Sequence, residues 1–325
     1  MKNRRKTYVF FVLLYLSLNS CIHKEHIELE SIELSTLHCS KTLVCDSLPI
    51  PFKNINCLLA TDSVLYIAPN GESSLLSLHW DNRKMRSRKL PIEAQSLFGE
   101  DNEMFIYSSY NPLIKYNLLN DKYSKINIPD SLDAINVLNF FVKDSAYYFF
   151  SNLKGKEEAA TIMSLKDKNI KRLGKLTSKY DDAEYRFKSS RHLFSYNNYV
   201  LSIGRFIPII ELFEQNGNLK ATYDMRKIPA IHKILLEEDL KGRARHFIVR
   251  SGNLEGDKLY LLVNDEEKDW GSRSIIEFQM EDSVIARRHY TLTGCERISH
   301  FVVKKDTFVV FDHAAAKLKY YPIPY

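Results

Sequence analysis

The sequence predicts an all-β fold: a six-bladed β-propeller of four-stranded antiparallel blades, the last of them closed by an N-terminal strand. Three observations carry this. One hairpin signature recurs six times, at Asp62, Asn102, Asp144, Asn197, Asp257 and Asp306, where an Asx residue and one further residue precede a run of β-branched, aromatic or aliphatic side chains. The steps between these anchors are 40, 42, 53, 60 and 49 residues. That is the period of propeller blades; a β-sandwich also gives short strands and frequent turns, but not one signature returning at such a distance. Finally, 45% hydrophobic, 12% aromatic and 26% charged residues with 11 glycines in 325 are too apolar for a disordered chain and too poor in glycine for a fibrous one.

Each unit is built the same way. Asp and Asn suit the tight turn at the anchor because their short side chains hydrogen-bond the turn's own backbone. Ahead of the anchors lie short apolar pieces, Cys57-Leu-Leu, Ser96-Leu-Phe, Asn139-Phe-Phe, His192-Leu-Phe, His246-Phe-Ile and His300-Phe-Val, which read as the first strands. After the anchored run, five units continue with a third strand that ends at an Asx-rich or Gly turn: Leu76–Trp80, Ile114–Leu118, Ile162–Leu165, Glu211–Phe213 and Ile276–Phe278. Fourth strands leave those turns, as at Met85–Leu90 and Leu219–Met225. The last unit stops at Lys317–Tyr325 without a fourth strand, so alternating His26–Leu34 is expected to supply it and cover the open edge. One helix is expected, Ala230–Leu240, between the fourth and fifth units.

The first 20 residues read as a signal peptide. Lys2, Arg4, Arg5 and Lys6 precede an 11-residue apolar run, Tyr8–Leu18, too short to span a bilayer as a helix. Leu18-Asn19-Ser20-Cys21 follows, which makes Cys21 the expected lipidation site, residues 21–26 a lipidated tether and residues 27–325 a single propeller domain. The chain is then exported and held at the cell envelope, in the outer membrane, by its acyl chains. The formal net charge of +6 owes four units to the leader, which holds no acid, and without it falls to 42 minus 40, or +2. No basic domain remains to displace counterions from phosphates, which excludes general nucleic-acid binding. Of the other cysteines, Cys39 and Cys45 could close a small loop in an oxidising compartment, or stand with Cys57 and Cys295 as thiols.

Cys21 in its lipobox-like setting, the six units and turns such as Glu211-Leu-Phe-Glu-Gln-Asn-Gly217 together resemble the TolB-like six-bladed propeller lipoproteins of Gram-negative bacteria. The resemblance implies a fold and an envelope location. It implies no catalytic residue.

Motifs for chemistry are sparse. There is no GxSxG elbow, HExxH, Walker loop, dinucleotide GxGxxG, EF-hand loop or SxDxGxTW sialidase turn. His23 and His26 sit in the tether, and Asp265–Asp269 lacks calcium-ligand spacing, so both read as solvated segments. The sharper signal is a set of polar residues of equal rank at the start of the first strands: Cys57, Ser96, Asn139, His192, His246 and His300. First strands line a propeller's channel, so these residues should form a ring at its mouth, with Arg191, Arg205 and Arg245 nearby to receive an anion and Arg243 and Arg297 in neighbouring segments. Local strand capping is the plainer role for them, and His192, His246 and His300 as metal ligands the rarer one. The expected function is a ligand- or protein-binding or scaffolding module for an envelope protein or a saccharide, needing no cofactor. A channel-centred hydrolase or lyase acting on a saccharide or lactone is the alternative, signalled by a histidine titrating abnormally beside a carboxylate.

Overall fold

In the computed structural model, the described residues are 32–44, 52–80, 84–100, 102–108, 111–126, 140–143, 146–151, 161–166, 169–175, 191–241, 247–264, 272–281 and 283–324. Cys21, Cys45, His23, His26 and Asp265–Asp269 lie outside them. Two short strands open the chain, β1 (Glu33–Leu37) and β2 (Lys41–Val44). The first sheet follows as β3 (Ile55–Ala60), β4 (Val64–Pro69), β5 (Ser74–His79) and β6 (Met85–Lys89), and the second as β7 (Ser96–Glu100), β8 (Glu103–Ser108), β9 (Asn111–Asn117) and β10 (Tyr123–Ile126). The third holds β11 (Phe140–Lys143), β12 (Ala146–Ser151), β13 (Thr161–Lys166) and β14 (Asn169–Lys175), and the fourth β15 (Arg191–Tyr196), β16 (Tyr199–Gly204), β17 (Ile209–Glu214) and β18 (Leu219–Asp224). Helix α1 (Pro229–Lys241) intervenes, as the sequence indicates, before β19 (Val249–Glu255), β20 (Lys258–Val263), β21 (Ser274–Met280) and β22 (Val284–Leu292). The last three strands are β23 (Ile298–Lys304), β24 (Thr307–Asp312) and β25 (Lys317–Pro322).

These strands make five four-stranded sheets and one five-stranded sheet, the all-β arrangement of a propeller. The first strands β3, β7, β11, β15, β19 and β23 lie beside one another in that order, and β23 returns against β3. The anchored hairpins fall where the Asx residues place them: β3 and β4 are joined through Asp62, β15 and β16 through Asn197, and β23 and β24 through Asp306. Asn197 has φ 49°, and Lys305 and Asp306 have φ 49° and 53°, the left-handed backbone that a two-residue hairpin requires.

The core is a set of radial wedges. Along β20, Leu259, Leu261 and Val263 face the fourth sheet and pack with Leu201, Ile203, Ile210 and Leu212. The alternate residues Tyr260 and Leu262 face the last sheet and pack with Phe308 and Val310. A strand buried on both faces needs an unbroken apolar run, which is why the second strands read as continuous hydrophobic sequence while outer β6, Met-Arg-Ser-Arg-Lys, does not. Each fully buried Leu, Ile, Val or Phe contributes about 1.5–3 kcal/mol.

Two sequence expectations are corrected. The N-terminal strand that completes the last sheet is β2, antiparallel to β25 through Lys41↔Tyr320 and Leu43↔Leu318, and not His26–Leu34. Residues 33–37 pair instead in parallel with β22 of the preceding sheet, Leu37 opposite Leu292. The reason is tertiary: β22, a nine-residue strand, presents a long edge that accepts β1, and Leu37 sinks into the cluster of Tyr290, Leu292 and Ile298. Further, the first strand of the fifth sheet begins at Val249, not at His246. The N–H groups of Ile248 and Val249 both donate to the Arg205 carbonyl, at 2.8 and 3.0 Å, and this ties the strand start to the fourth sheet.

Candidate functional site

Register places the polar ring. Cys57 pairs with Ala68, Ser96 with Tyr107, His192 with Ile203, Ser251 with Leu262 and His300 with Phe311. In every case the partner is the fifth residue of its second strand, so these five residues share one level. The fifth sheet contributes Ser251 where the sequence suggested His246. Asn139, Arg245 and His246 lie outside the described residues.

Three of the first strands carry a β-bulge immediately before this level, between Ile55 and Cys57, between Val249 and Ser251, and between Ile298 and His300. A bulge leaves one extra residue unpaired and re-aims its side chain. The extra residues are Asn56, Arg250 and Ser299. Arg250 thereby lines the central cavity, and its Nη1 donates to the Ile298 carbonyl of the last sheet at 3.4 Å.

Arg205 reaches the same cavity from the loop after β16. Its loop is tight because a Cβ at Gly204 would collide with the Ile207 carbonyl, so glycine is required there. The Arg205 guanidinium stacks 4.4 Å from the centre of the Phe247 ring, and Phe247 is backed by Phe206 at 4.5 Å. Arg297 stands in the segment before β23, its N–H donating to Asp312 Oδ1 at 3.2 Å.

Electrostatics mark this end of the channel as cationic. Burial first, and Arg250 second, bring Arg205 down to about 10. Burial and Arg297 lower Arg250 in turn. The histidines answer by staying neutral. His192 is drawn down to about 3 by burial and then by Arg205, with the backbone of Val249 and Arg250 partly opposing. His300 falls to about 4 through burial and Arg250, and the Asn56 backbone opposes. His313 is lowered by burial, Arg297 and Arg250. The two ring histidines thus lean on the first strand of the next sheet, and their main ionic influences are guanidinium groups, not carboxylates. Desolvation beside arginine moves the protonation of both below pH 5.

Around the mouth, Asp312 is engaged by Lys319 Nζ at 2.6 Å and by the Glu296 and Arg297 N–H groups. Glu93 accepts from Asn56 Nδ2 and the Gly71 N–H, both at 2.8 Å. Arg191 does not reach the channel wall. It is 1% exposed and forms an ion pair with fully buried Glu211, Nε to Oε2 3.6 Å. Among the described residues, no three His, Cys, Asp or Glu side chains are grouped to hold a metal ion. No described helix is long and apolar enough to cross a membrane.

The cavity has a volume of about 900 Å³. Arg205, Arg250, His192 and His300 line it, as do Leu58, Phe194 and Leu254, and Lys143, Glu255 and Lys304 also face it. Arg250 and Ser251 were missed in the sequence although a signal existed. His192 and Cys57 stand five residues before their anchors and His300 six, whereas His246 stands eleven before Asp257. Counting back six from Asp257 gives Ser251.

The fold defines the class: this chain is a β-propeller. No family model matches it, and no curated protein matches it in sequence. Solved structures similar to it include regucalcin, a calcium-binding protein from Agrobacterium tumefaciens, at 9% identity and TM-score 0.52, with 89% of this chain and 95% of that one covered. The β-propeller domain of Cps50 (Swd1) from Myceliophteria thermophila gives the same identity and score over 89% of this chain and 100% of the other. A member of the DUF4221 family from Bacteroides vulgatus is 11% identical at TM-score 0.51, with 88% and 97% covered. At such identities the likeness is one of fold alone, since a fold does not determine a function.

Proposed function

We propose that this protein is a lipid-anchored, six-bladed, TolB-like propeller of the bacterial cell envelope, acylated at Cys21, and that it works as a binding module whose channel takes a small molecule. Six blades are supported by the succession of six first strands around the cavity with β23 returning to β3. The anchor and the outer-membrane address are supported by the cationic, apolar leader and Leu18-Asn-Ser-Cys21. The observation that carries the binding role is the cavity of about 900 Å³, with an apolar stretch and a few convergent polar side chains at one level. Pockets for small ligands have this size and make-up. Binding is favoured over hydrolysis because His192 and His300 are held neutral among arginines and backbone groups, with no carboxylate among their main influences.

The test fills the channel without touching its charge. Ser251→Trp places an indole at the ring level, on a strand otherwise held by its ladder. A mixed panel of small anions, saccharides and lactones is screened by thermal shift on the parent; the compounds that stabilise it should fail on this variant. Parent and variant stabilised by the same compounds would remove the channel from the function.

A further inference from the structure

We propose that the channel mouth binds an oxyanion, the carboxylate, phosphate or sulfate end of a small molecule, on the guanidinium groups of Arg205 and Arg250. This rests on the channel being the ligand site. Both side chains line the same cavity, and they arrive from different sheets by different devices. Arg205 is oriented by its stack on Phe247, and Arg250 by the bulge in β19 and its bond to the Ile298 carbonyl. Neither orientation serves strand pairing. Arg297 stands close enough to Arg250 to disfavour its charge, as Arg250 does for Arg205.

Gathering like charges in a half-buried site is unfavourable for the empty fold, and an arriving anion reverses the sign of that term. Guanidinium N–H groups match the oxygens of a carboxylate or phosphate in paired, nearly planar bonds and have no lone pair for a metal. With His192 and His300 neutral at neutral pH, the positive charge of the site comes from its arginines. The cavity is metabolite-sized, and besides the arginines its lining includes Leu58, Phe194 and Leu254, which give the rest of the ligand an apolar surface to cover. A polyanionic strand such as nucleic acid is not favoured by the overall charge, since residues 21–325 carry only +2, from 42 basic and 40 acidic residues.

The experiment follows thermal unfolding at pH 7.5 and constant ionic strength while chloride is replaced by inorganic phosphate, sulfate or acetate. The parent should show a saturable rise in Tm with at least one of these, as mass action on the folded state demands. Arg250→Gln should shift the concentration needed at least tenfold upward, and Arg250→Lys by less. In chloride alone Arg250→Gln should melt at or above the parent, because a like-charged neighbour has gone. Arg205→Gln should also weaken the response; if it unfolds through loss of its stack, Arg250→Gln decides. Arg88→Gln, at a surface pair with Asp121, is the control and should respond like the parent. A parent whose Tm ignores all three anions overturns the proposal, and so does Arg250→Gln responding as the parent does or melting well below it in chloride. Neutral saccharides that stabilise the parent but not Ser251→Trp, with no anion effect, would defeat the oxyanion while leaving the channel as the ligand site.

Discussion

Two regions of this propeller bury basic side chains, and they do so in opposite ways. Within the sheets, Arg191 meets Glu211 in the fourth with both side chains fully withdrawn from water, and Lys319 meets Asp312 in the last at 2.6 Å. At the channel mouth, by contrast, arginine meets arginine: after burial, Arg250 lowers Arg205 and Arg297 lowers Arg250. A paired charge inside a sheet offsets its own desolvation and locks a register; like charges brought together are tolerated only where something else is gained. The difference teaches where to look for function in a molecule whose motifs are silent. Arg205 and Arg250 at the mouth line the central cavity, whereas Arg191, Glu211, Lys319 and Asp312 are not among its lining residues.

The comparison breaks most visibly if one member of a pair is removed. Glu211→Gln leaves Arg191 buried beside a neutral amide, and unfolding in urea should show a loss of about 3–5 kcal/mol. The same measurement on the double variant Glu211→Gln with Arg191→Met, which removes both charges, should show a smaller loss. Equal losses would mean that packing, not charge pairing, holds this part of the fourth sheet.

An intermediate effect is expected from the histidines that accommodate the cationic mouth. Their folded pKa values, about 3 for His192 and about 4 for His300, lie below the unfolded value near 6.5, so the unfolded chain takes up protons first. Their contribution is fully present above about pH 6.5 and is lost as the pH falls toward 4 and then 3, at up to about 1.4 kcal/mol per pH unit for each. His192→Gln with His300→Gln should flatten the stability profile between pH 6.5 and 4.5. A double variant with the parent's slope would show that the acid loss comes from elsewhere.

The smallest effect is expected at the surface. Arg88 and Asp121 pair at 2.5 Å, but their side chains are 27% and 64% exposed. Arg88→Ala should scarcely move Tm at physiological salt, because solvent and ions screen such pairs. A large drop would remove the contrast between buried and exposed pairing on which the first comparison depends.

The division between sequence and tertiary structure follows the range of the forces involved. Hairpins at Asp62, Asn197 and Asp306 were legible because an Asx side chain acts on its own turn, and left-handed backbone at Asn197 and Asp306 is a local property. Continuous apolar second strands announced sheets buried on both faces, and their spacing announced a propeller; α1 was legible for the same local reasons. The ring level of Cys57, Ser96, His192 and His300 followed from rank within each strand. What the chain could not reveal residue by residue was decided across sheets. The strand completing the last sheet is Lys41–Val44 because β22 takes residues 33–37, a competition between two distant edges. Arg250 belongs to the mouth because a bulge shifts β19 by one residue, and Arg191 does not because the strand's alternation turns it onto Glu211. Local turn chemistry and period are written in neighbouring residues, whereas edge pairing, bulges and the gathering of like charges depend on which sheets become neighbours once the ring is closed.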